Sequence, residues 1–403
     1  MKSLIMILIL LISMSVIANS QVGFSRDFLL ERNSSPVIMG LGGAGIAFLT
    51  ADATSFSYNP AHLGFLMRSD NLILSYNCNN SNPVAQYNMP YTNYAINAGY
   101  DLTNILGLPV TAGIAYMNQN VDIGAFTRIG SNGSMIEVND ASETAHSVAL
   151  AASFEYFAIF SLGVTYKYYR MDLSEPIFDN INIESAAGSV FDFGLSAQIP
   201  VIKNYEILDG IFTKIDFNFA WALLNYGNGL DYGDDNDAAP RTSIMGYSTS
   251  LGFEYKKNDI DIEIIRLDWS AQLSENLVYS DSTGYKYDSP FNEVNFADNF
   301  LGLYAGEYIN TGFGWQITIF ETISYIRGWA YSTENMMPCE GLSVNTKGIV
   351  KLLKSKFSNR ILDYASEHLS ISYNMTKTTL PFTKASNSWI YEKYQGINLA
   401  IKL

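Results

Sequence analysis

After its first twenty residues this chain has no long apolar run, so a helical membrane protein is excluded: no later stretch supplies the roughly eighteen uninterrupted apolar residues a spanning helix needs. Charge is also sparse, at 16% of residues, and its basic share is the smaller one, with 24 Lys and Arg against 39 Asp and Glu. No basic surface is therefore available to neutralise phosphates, and nucleic acid is not expected as a partner. Histidine is limited to His62, His146 and His368, without an H-E-x-x-H pair, and no G-x-S-x-G elbow occurs anywhere. Neither a zinc protease nor a serine hydrolase is encoded; the three histidines are expected on loops or rims. Cysteine is nearly missing. Cys78 and Cys339 form no metal or redox motif, although in an oxidising compartment the two can pair. No catalytic residue, cofactor site or metal site is expected.

What is present begins with a leader. Lys2 precedes an apolar stretch from Leu4 to Ile17, and Ala18-Asn19-Ser20 places small residues three and one positions before Gln21. This is the pattern of a secretory signal peptide over residues 1–20, which sends the remaining chain out of the cytoplasm. Losing Lys2 leaves 23 basic residues against 39 acidic ones, a net charge of −16. The absence of a cysteine near the cleavage point argues against a lipoprotein anchor.

"VIMGLGGAGIAF" follows, with Gly40, Gly42 and Gly45 at G-x-G-x-x-G spacing and Gly43 between them. A dinucleotide turn with that spacing needs a strand-turn-helix context and an acidic residue about twenty positions on. Here Asp70 stands 25 positions past Gly45, and Asn59-Pro60 interrupts the helix that would have to lie between. The glycines therefore serve another purpose.

Aromatic residues reach 14%, with 27 Tyr and 23 Phe, and they recur with a period of two. "FSLGVTYKYY" sets Phe160, Leu162, Val164, Tyr166 and Tyr168 against Ser161, Gly163, Thr165 and Lys167; "IDFNFAWAL" sets Ile215, Phe217, Phe219, Trp221 and Leu223 against Asp216, Asn218, Ala220 and Ala222. "TNYAINAGY" and "YSTSLGFEY" repeat the scheme. In a water-soluble sandwich the second face would be outermost and charged. Small uncharged residues there instead suit a barrel with one face toward lipid and the other toward a packed or narrow lumen. The alternation predicts fourteen strands, near residues 71–77, 92–100, 110–118, 145–157, 160–170, 189–199, 212–224, 245–256, 259–268, 298–308, 310–320, 322–331, 367–375 and 393–403. Connections alternate between short turns, near Ala158 and Asn258, and long polar ones, such as 118–144 and 270–297. The fold class read from this is all-β: a transmembrane antiparallel barrel of about 14 strands, closed because hydrocarbon tolerates no open sheet edge.

Three further segments stand out. "LDYGDDNDAAP" gathers Asp231, Asp234, Asp235 and Asp237, without the order of a calcium loop. A helix is predicted near 347–366, where Ile349, Leu352, Leu353, Phe357, Ile361, Leu362 and Tyr364 recur at helical spacing among lysines. Its place between the twelfth and thirteenth predicted strands puts it on the rim of the even-to-odd connections, periplasmic if the N-terminus is. It is expected either to pack against the barrel end or to act as a docking element or a lid near anionic headgroups. Finally, "YQGINLAIKL" places Ile397, Leu399, Ile401 and Leu403 on one face and resembles the terminal strand read by bacterial barrel-assembly machinery.

"MGLGGAGIAFLTADATSFSYNPAHLGFL" resembles the N-terminal hatch of the FadL-like outer-membrane barrels, in which a Gly-rich run leads through an acidic-Ala-x-Ser stretch into Asn-Pro-Ala. The chain is more similar still to the PorV and PorQ family associated with type IX secretion. "FLLERNSSPVIMGLGGAGIAF", "FTRIGSNGSMIEVNDASETAHSVALAASFEY", "FSLGVTYKYYRMDLSE", "GSVFDFGLSAQIP" and "STSLGFEYKKNDIDIEIIRLDW" carry that likeness, over most of residues 28–270. The resemblance implies a hatch over 21–68 inside a barrel of residues 69–403, in the outer membrane of a Gram-negative bacterium. In the hatch, Gly40, Gly42, Gly43 and Gly45 would allow close approach to the wall. Asp52 and Ser55 would cap a turn or bond to luminal backbone, and Asn59, Pro60 and Ala61 would turn the chain out of the lumen toward the first strand. Outer-membrane lipid, the type IX translocon barrel and secreted proteins are the implied partners. A FadL-type transporter, with a hydrophobic ligand or lipid in the lumen, is the alternative.

Overall fold

Residues 28–31, 34–84, 87–129, 135–173, 185–227, 229, 238–257, 260–281, 284–333, 335–357, 360–379 and 391–402 are described by the computed structural model. The leader, the aspartates of 231–237 and Leu403 lie outside them. The strands, in chain order, are β1 (Leu72–Val84), β2 (Tyr87–Asp101), β3 (Val110–Ile129), β4 (Met135–Glu155), β5 (Ile159–Leu173), β6 (Ser185–Leu208), β7 (Ile211–Gly227), β8 (Thr242–Lys257), β9 (Ile260–Asn276), β10 (Val278–Asp281), β11 (Gly284–Tyr287), β12 (Ile309–Ile319), β13 (Ile323–Tyr331), β14 (Met336–Asn345), β15 (Leu369–Thr379) and β16 (Tyr391–Ile401). All except the separate β10–β11 ribbon pair with their neighbours in one closed antiparallel barrel of fourteen strands. β1 and β16 close it, in register from Leu72↔Ile401 to Asn80↔Lys393.

Period-two patterning decides which face is which. Tyr94, Ile96, Leu150, Phe160, Leu162, Phe193 and Tyr373 stand outward and exposed, while their neighbours Asn93, Ala95, Ala151, Ser161, Asp192 and Asn374 point inward and are buried. Large apolar side chains thus form the outer wall, and small polar ones line the lumen. The same alternation sets Cys78 outward beside the inward Asn77, and Cys339 inward and buried, so the two thiols stand on opposite sides of the wall. Both are free, and the pairing is not made.

Two strand assignments from sequence are exchanged. Residues 298–308 are not a strand. Asn295 caps a π-helical turn, Phe296–Leu301, by accepting from the amides of Ala297 and Asp298 at 3.1 and 3.4 Å, and the chain then runs irregularly to β12. β14, by contrast, is a strand that no alternation announced. Pro338 argues against one, yet it sits where β14 pairs with β13 alone, and the described ladder to β15 begins at Cys339↔Thr378. The two errors offset, leaving the count at fourteen. The polar connection placed over 118–144 is mostly ladder, paired from Val110↔Phe154 out to Ile129↔Met135.

The connections sort onto two rims. One carries the entry to β1, the exit of β16, the turns near Ala158, Gly210 and Phe320, and two helices, Thr346–Lys356 and Arg360–His368. The other carries the long segments, including residues 277–308. His146 is neither on a loop nor at a rim: it lies outward on β4, stacked on Tyr116 with centroids 6.3 Å apart. His368 is on the chain-end rim, stacked on Tyr364 at 4.5 Å. Among the described residues no helix is long and apolar enough to cross a membrane, which says nothing of strands.

Candidate functional site

The lumen is occupied by the chain that precedes β1. From Ser34 to Ser69 this segment is almost wholly buried, and among the described residues its hydrogen bonds reach at least nine of the fourteen strands. The Ser34 carbonyl accepts from Asn77 (β1) and Asn93 (β2), and its hydroxyl from Gln119 (β3), at 2.9–3.4 Å. The carbonyls of Pro36, Ala47, Ala61 and Gly64 accept from Thr376 (β15), Ser248 (β8), Ser161 (β5) and Ser153 (β4), at 2.6–2.9 Å. The Ile46 amide donates to Gln272 (β9) at 3.1 Å, and Asn59 to the Leu195 carbonyl (β6) at 3.4 Å. A segment bonded to strands on every side of a closed ring lies inside it. This also explains the inward Ser, Asn, Thr and Gln: they satisfy plug backbone groups that no plug ladder pairs.

The glycine run does the closest packing. Gly42 has φ +69°, and a Cβ there would stand 2.5 Å from the Trp329 backbone nitrogen. On the wall, a Cβ at Gly328 would stand 2.5 Å from the Leu41 carbonyl oxygen. Two backbones therefore touch where side chains are absent on both sides, a contact open only to glycine. Gly40 lies against Ile326 and Thr376, Gly45 packs on Ile38, and Gly43 faces open space.

Asp52 caps the 3-10 turn Ala53–Ser57, accepting from the Thr54 amide at 2.9 Å and its hydroxyl at 2.8 Å. Ser55 differs from expectation: its buried hydroxyl has no hydrogen-bond partner among the described residues, and its carbonyl accepts from Tyr58 and Asn59. Asn59 is the joint of the segment. Its Oδ1 accepts from the Ala61 amide at 3.0 Å, and its Nδ2 donates to the Ile46 carbonyl at 3.1 Å as well as to the wall. Asn59, Pro60 and Ala61 do not turn the chain out of the lumen. They lie deep in it, against wall glycines Gly163 and Gly194, where a Cβ would stand 2.7 and 2.9 Å from the Ala61 amide nitrogen. The exit comes later, after the helix His62–Ser69, whose Arg68 pairs with Glu155 near the chain-end rim.

His62 is likewise no loop residue. It is 1% exposed, with Nε2 2.8 Å from the Ile46 carbonyl. Burial pushes its pKa down to about 4 from the usual 6.5, so the seated plug holds it neutral while a released plug takes up a proton below pH 6.5. Stability is therefore complete above pH 6.5 and falls toward pH 4, by at most about 3 kcal/mol at 1.36 kcal/mol per pH unit. Acidification from pH 7 to 4 should accelerate hydrogen exchange of the Ile46 region in the native chain, relative to intrinsic rates. In His62→Leu the acid-dependent part should vanish; an unchanged profile would rule out His62 as its source.

The other end of the plug is clamped by residues that no sequence pattern singled out. Lys167 (β5) and Asp192 (β6) form a buried ion pair at 2.7 Å. Asn225 (β7), at φ 57°, accepts from Lys167 at 3.1 Å and gives its amide proton to Asp192 at 2.8 Å. Its Nδ2 donates to the carbonyls of Leu30 and Pro240, at 3.2 and 3.0 Å. One asparagine thus ties the start of the plug and the β7–β8 connection to the wall. Leu29 and Leu30 also pack on Tyr91, Val121, Tyr169 and Val190, at the long-loop end of the lumen. The segment therefore runs the length of the barrel, from the long-loop rim at Phe28 to the chain-end rim at Asp70, so Phe28 and the start of the first strand do not share a rim.

Two cavities flank this arrangement. One, of about 490 Å³, opens in the lumen at the chain-end rim beneath Leu49–Ala51; its wall has five cationic and five carboxylate side chains, Lys256, Arg266, Lys351, Glu254, Glu263 and Glu321 among them. The other, of about 400 Å³, is an apolar groove on the outer wall between Leu251, Leu267, Trp269, Trp315 and Ile317. Among the described residues no group of three or more His, Cys, Asp or Glu could hold a metal ion. In β16, Ile397, Leu399 and Ile401 alternate with the buried Asn398 and Ala400 and point outward, Ile397 exposed.

No family profile matches the chain, and no curated protein does. Among solved structures it is similar to the toluene transporter TodX of Pseudomonas putida, at 10% identity and a TM-score of 0.42 over 95% of this chain and 98% of that one. A FadL homologue of Pseudomonas aeruginosa matches at 12% and 0.34, over 94% and 98%. The translocator domain of the autotransporter NalP from Neisseria meningitidis matches at 9% and 0.39, over 82% and 88%. At such values the character of the chain rests on its own geometry: a closed fourteen-strand barrel threaded end to end by its own N-terminal segment.

Proposed function

We propose that this chain is a non-enzymatic outer-membrane barrel of the PorV type, an accessory of type IX secretion that binds the translocon barrel and secreted proteins. Its apolar outer wall and edgeless ring suit hydrocarbon, in the outer membrane of a Gram-negative bacterium, with the chain-end rim periplasmic and the long-loop rim outside. Residues 21–68 act as the hatch and 69–403 as the barrel. The observation that supports a contact function is the lumen itself. A carrier of hydrophobic molecules needs an apolar cavity with few polar groups, whereas the lumen holds a bonded plug and a cavity walled by ten charged side chains. What is left to work with is rims and loops.

A FadL-type transporter is the second reading, favoured by the apolar groove on the outer wall. Affinity capture from detergent-solubilised membranes should recover a large outer-membrane barrel together with exported proteins, and reconstituted vesicles should take up no hydrophobic probe above the lipid control. Uptake that disappears on Asn59→Ala, with no barrel captured, would decide for the transporter.

A further inference from the structure

The helical hairpin on the chain-end rim leaves one side uncovered. Ile349, Leu352, Leu353, Phe357, Ile361 and Tyr364 are 41–75% exposed, and large apolar side chains exposed together on one hairpin are of the kind that marks a protein or membrane contact. The seating of the first helix, Thr346–Lys356, sets the direction of that side. Gly348 rests on the rim, where a Cβ would strike the Phe320 carbonyl. Lys347 and Lys351 reach Glu321 at 3.7 and 2.6 Å and line the luminal cavity. At about 100° per residue, Ile349 and Leu353 lie some 200° round from those two lysines. The apolar side therefore faces away from the lumen, in the direction of the barrel's outer wall.

There it continues a surface of the same character. Leu342 and Val344 of β14 and Leu369, Ile371 and Tyr373 of β15, the strands that flank the hairpin, are outward and exposed. The charges divide accordingly. Lys347 and Lys351 are neutralised by Glu321, and Lys354 by Asp363 and Glu367 at 3.8 and 2.8 Å. Lys356 and Arg360, both exposed, make no ion pair among the described residues and stand at the bend between the helices. An apolar side with aromatic residues, and with cations outside any ion pair at its edge, Lys356 over the Phe357 ring at 5.8 Å, is the composition of a helix lying in a lipid interface.

We propose that residues 346–368 form a membrane foot. The hairpin lays its outward side into the interface of the phospholipid leaflet beside the barrel, with Lys356 and Arg360 on lipid phosphates. This rests on the reading of the chain as a membrane barrel. His368, donating from Nδ1 to the Lys402 carbonyl at 2.6 Å, ties the foot to the end of the last strand.

The test uses the full barrel in nanodiscs, with Cys78→Ser and Cys339→Ala and one new thiol carrying an environment-sensitive fluorophore, quenched by acyl-brominated lipid. In discs containing phosphatidylglycerol, the label at Leu353→Cys should be quenched at least half as strongly as at Leu150→Cys on the outer wall, and several-fold more than at Lys347→Cys. Lys356→Glu with Arg360→Glu should lower quenching at position 353 at least twofold in phosphatidylglycerol discs and leave it unchanged in phosphatidylcholine. No quenching at 353 with strong quenching at 150 would overturn the foot and leave that side to a soluble partner. Failure at both positions would overturn the membrane-barrel reading and the foot with it.

Discussion

Gly42→Ala is expected to unseat the plug while the ring stays closed. Its φ of +69° alone costs a non-glycine residue about 1–2 kcal/mol, and the new Cβ would sit 2.5 Å from the backbone of Trp329, which cannot rotate away. Relief requires the two backbones to part, adding about 1–3 kcal/mol. Gly43→Ala supplies the control: φ is +78° there, but no atom lies within 4 Å of the Cβ position. Hydrogen exchange over Leu41–Ile46 should therefore quicken about a hundredfold or more in Gly42→Ala, and about tenfold in Gly43→Ala, since 1.4 kcal/mol is a factor of ten. Planar bilayers should register conductance only with the first. Equal effects of the two would show that the Trp329 backbone does not press on position 42.

Breaking the Lys167–Asp192 pair should have the other large effect. Lys167→Met leaves a carboxylate sealed among Asn225 and the lumen wall, with its desolvation no longer offset. Such half-removals cost about 3–5 kcal/mol, whereas replacing both members with apolar residues is often close to neutral. The denaturant midpoint in detergent should fall sharply for Lys167→Met and recover most of the difference in Lys167→Met with Asp192→Leu. Exchange at Leu30, held through Asn225, should rise in the single variant. A double variant no better than the single one would remove the ion pair from the account and leave packing in its place.

The barrel was legible because its signal is local. In Ile215–Leu223 every second residue is large and apolar, so the wall can be read from nine consecutive letters. β14 escaped because Pro338, Glu340 and Gly341 break that rhythm, and its stability comes from β13 and β15 rather than from itself. The reverse happened at 298–308, where apolar letters at strand spacing are overruled by one capping side chain, Asn295. The plug was half legible. Its glycines announce close approach, but the matching Gly328 lies 286 positions after Gly42 in the sequence, and nothing in either stretch names the other. Lys167, Asp192 and Asn225 each look like an isolated polar letter in a strand; only closure of the ring brings them together. His62 reads as a turn residue until the helix it begins is placed inside the wall.

The rim-to-rim course of the N-terminal segment also constrains the order of assembly. A strand of chain that enters a ring at one mouth and leaves it at the other cannot be added from the side once the ring is complete. The seam of this ring is β1 against β16, and β16 follows every other strand of the ring along the chain. Seam residues also hold the threaded segment: Ser75 accepts from the Ala53 amide at 2.9 Å and is itself bonded to Asn398 of β16. The arrangement is that of a noose drawn shut by its final loop. Zipping the seam around a segment already in place reaches it in one step, without any later passage of thirty-odd residues through a closed pore.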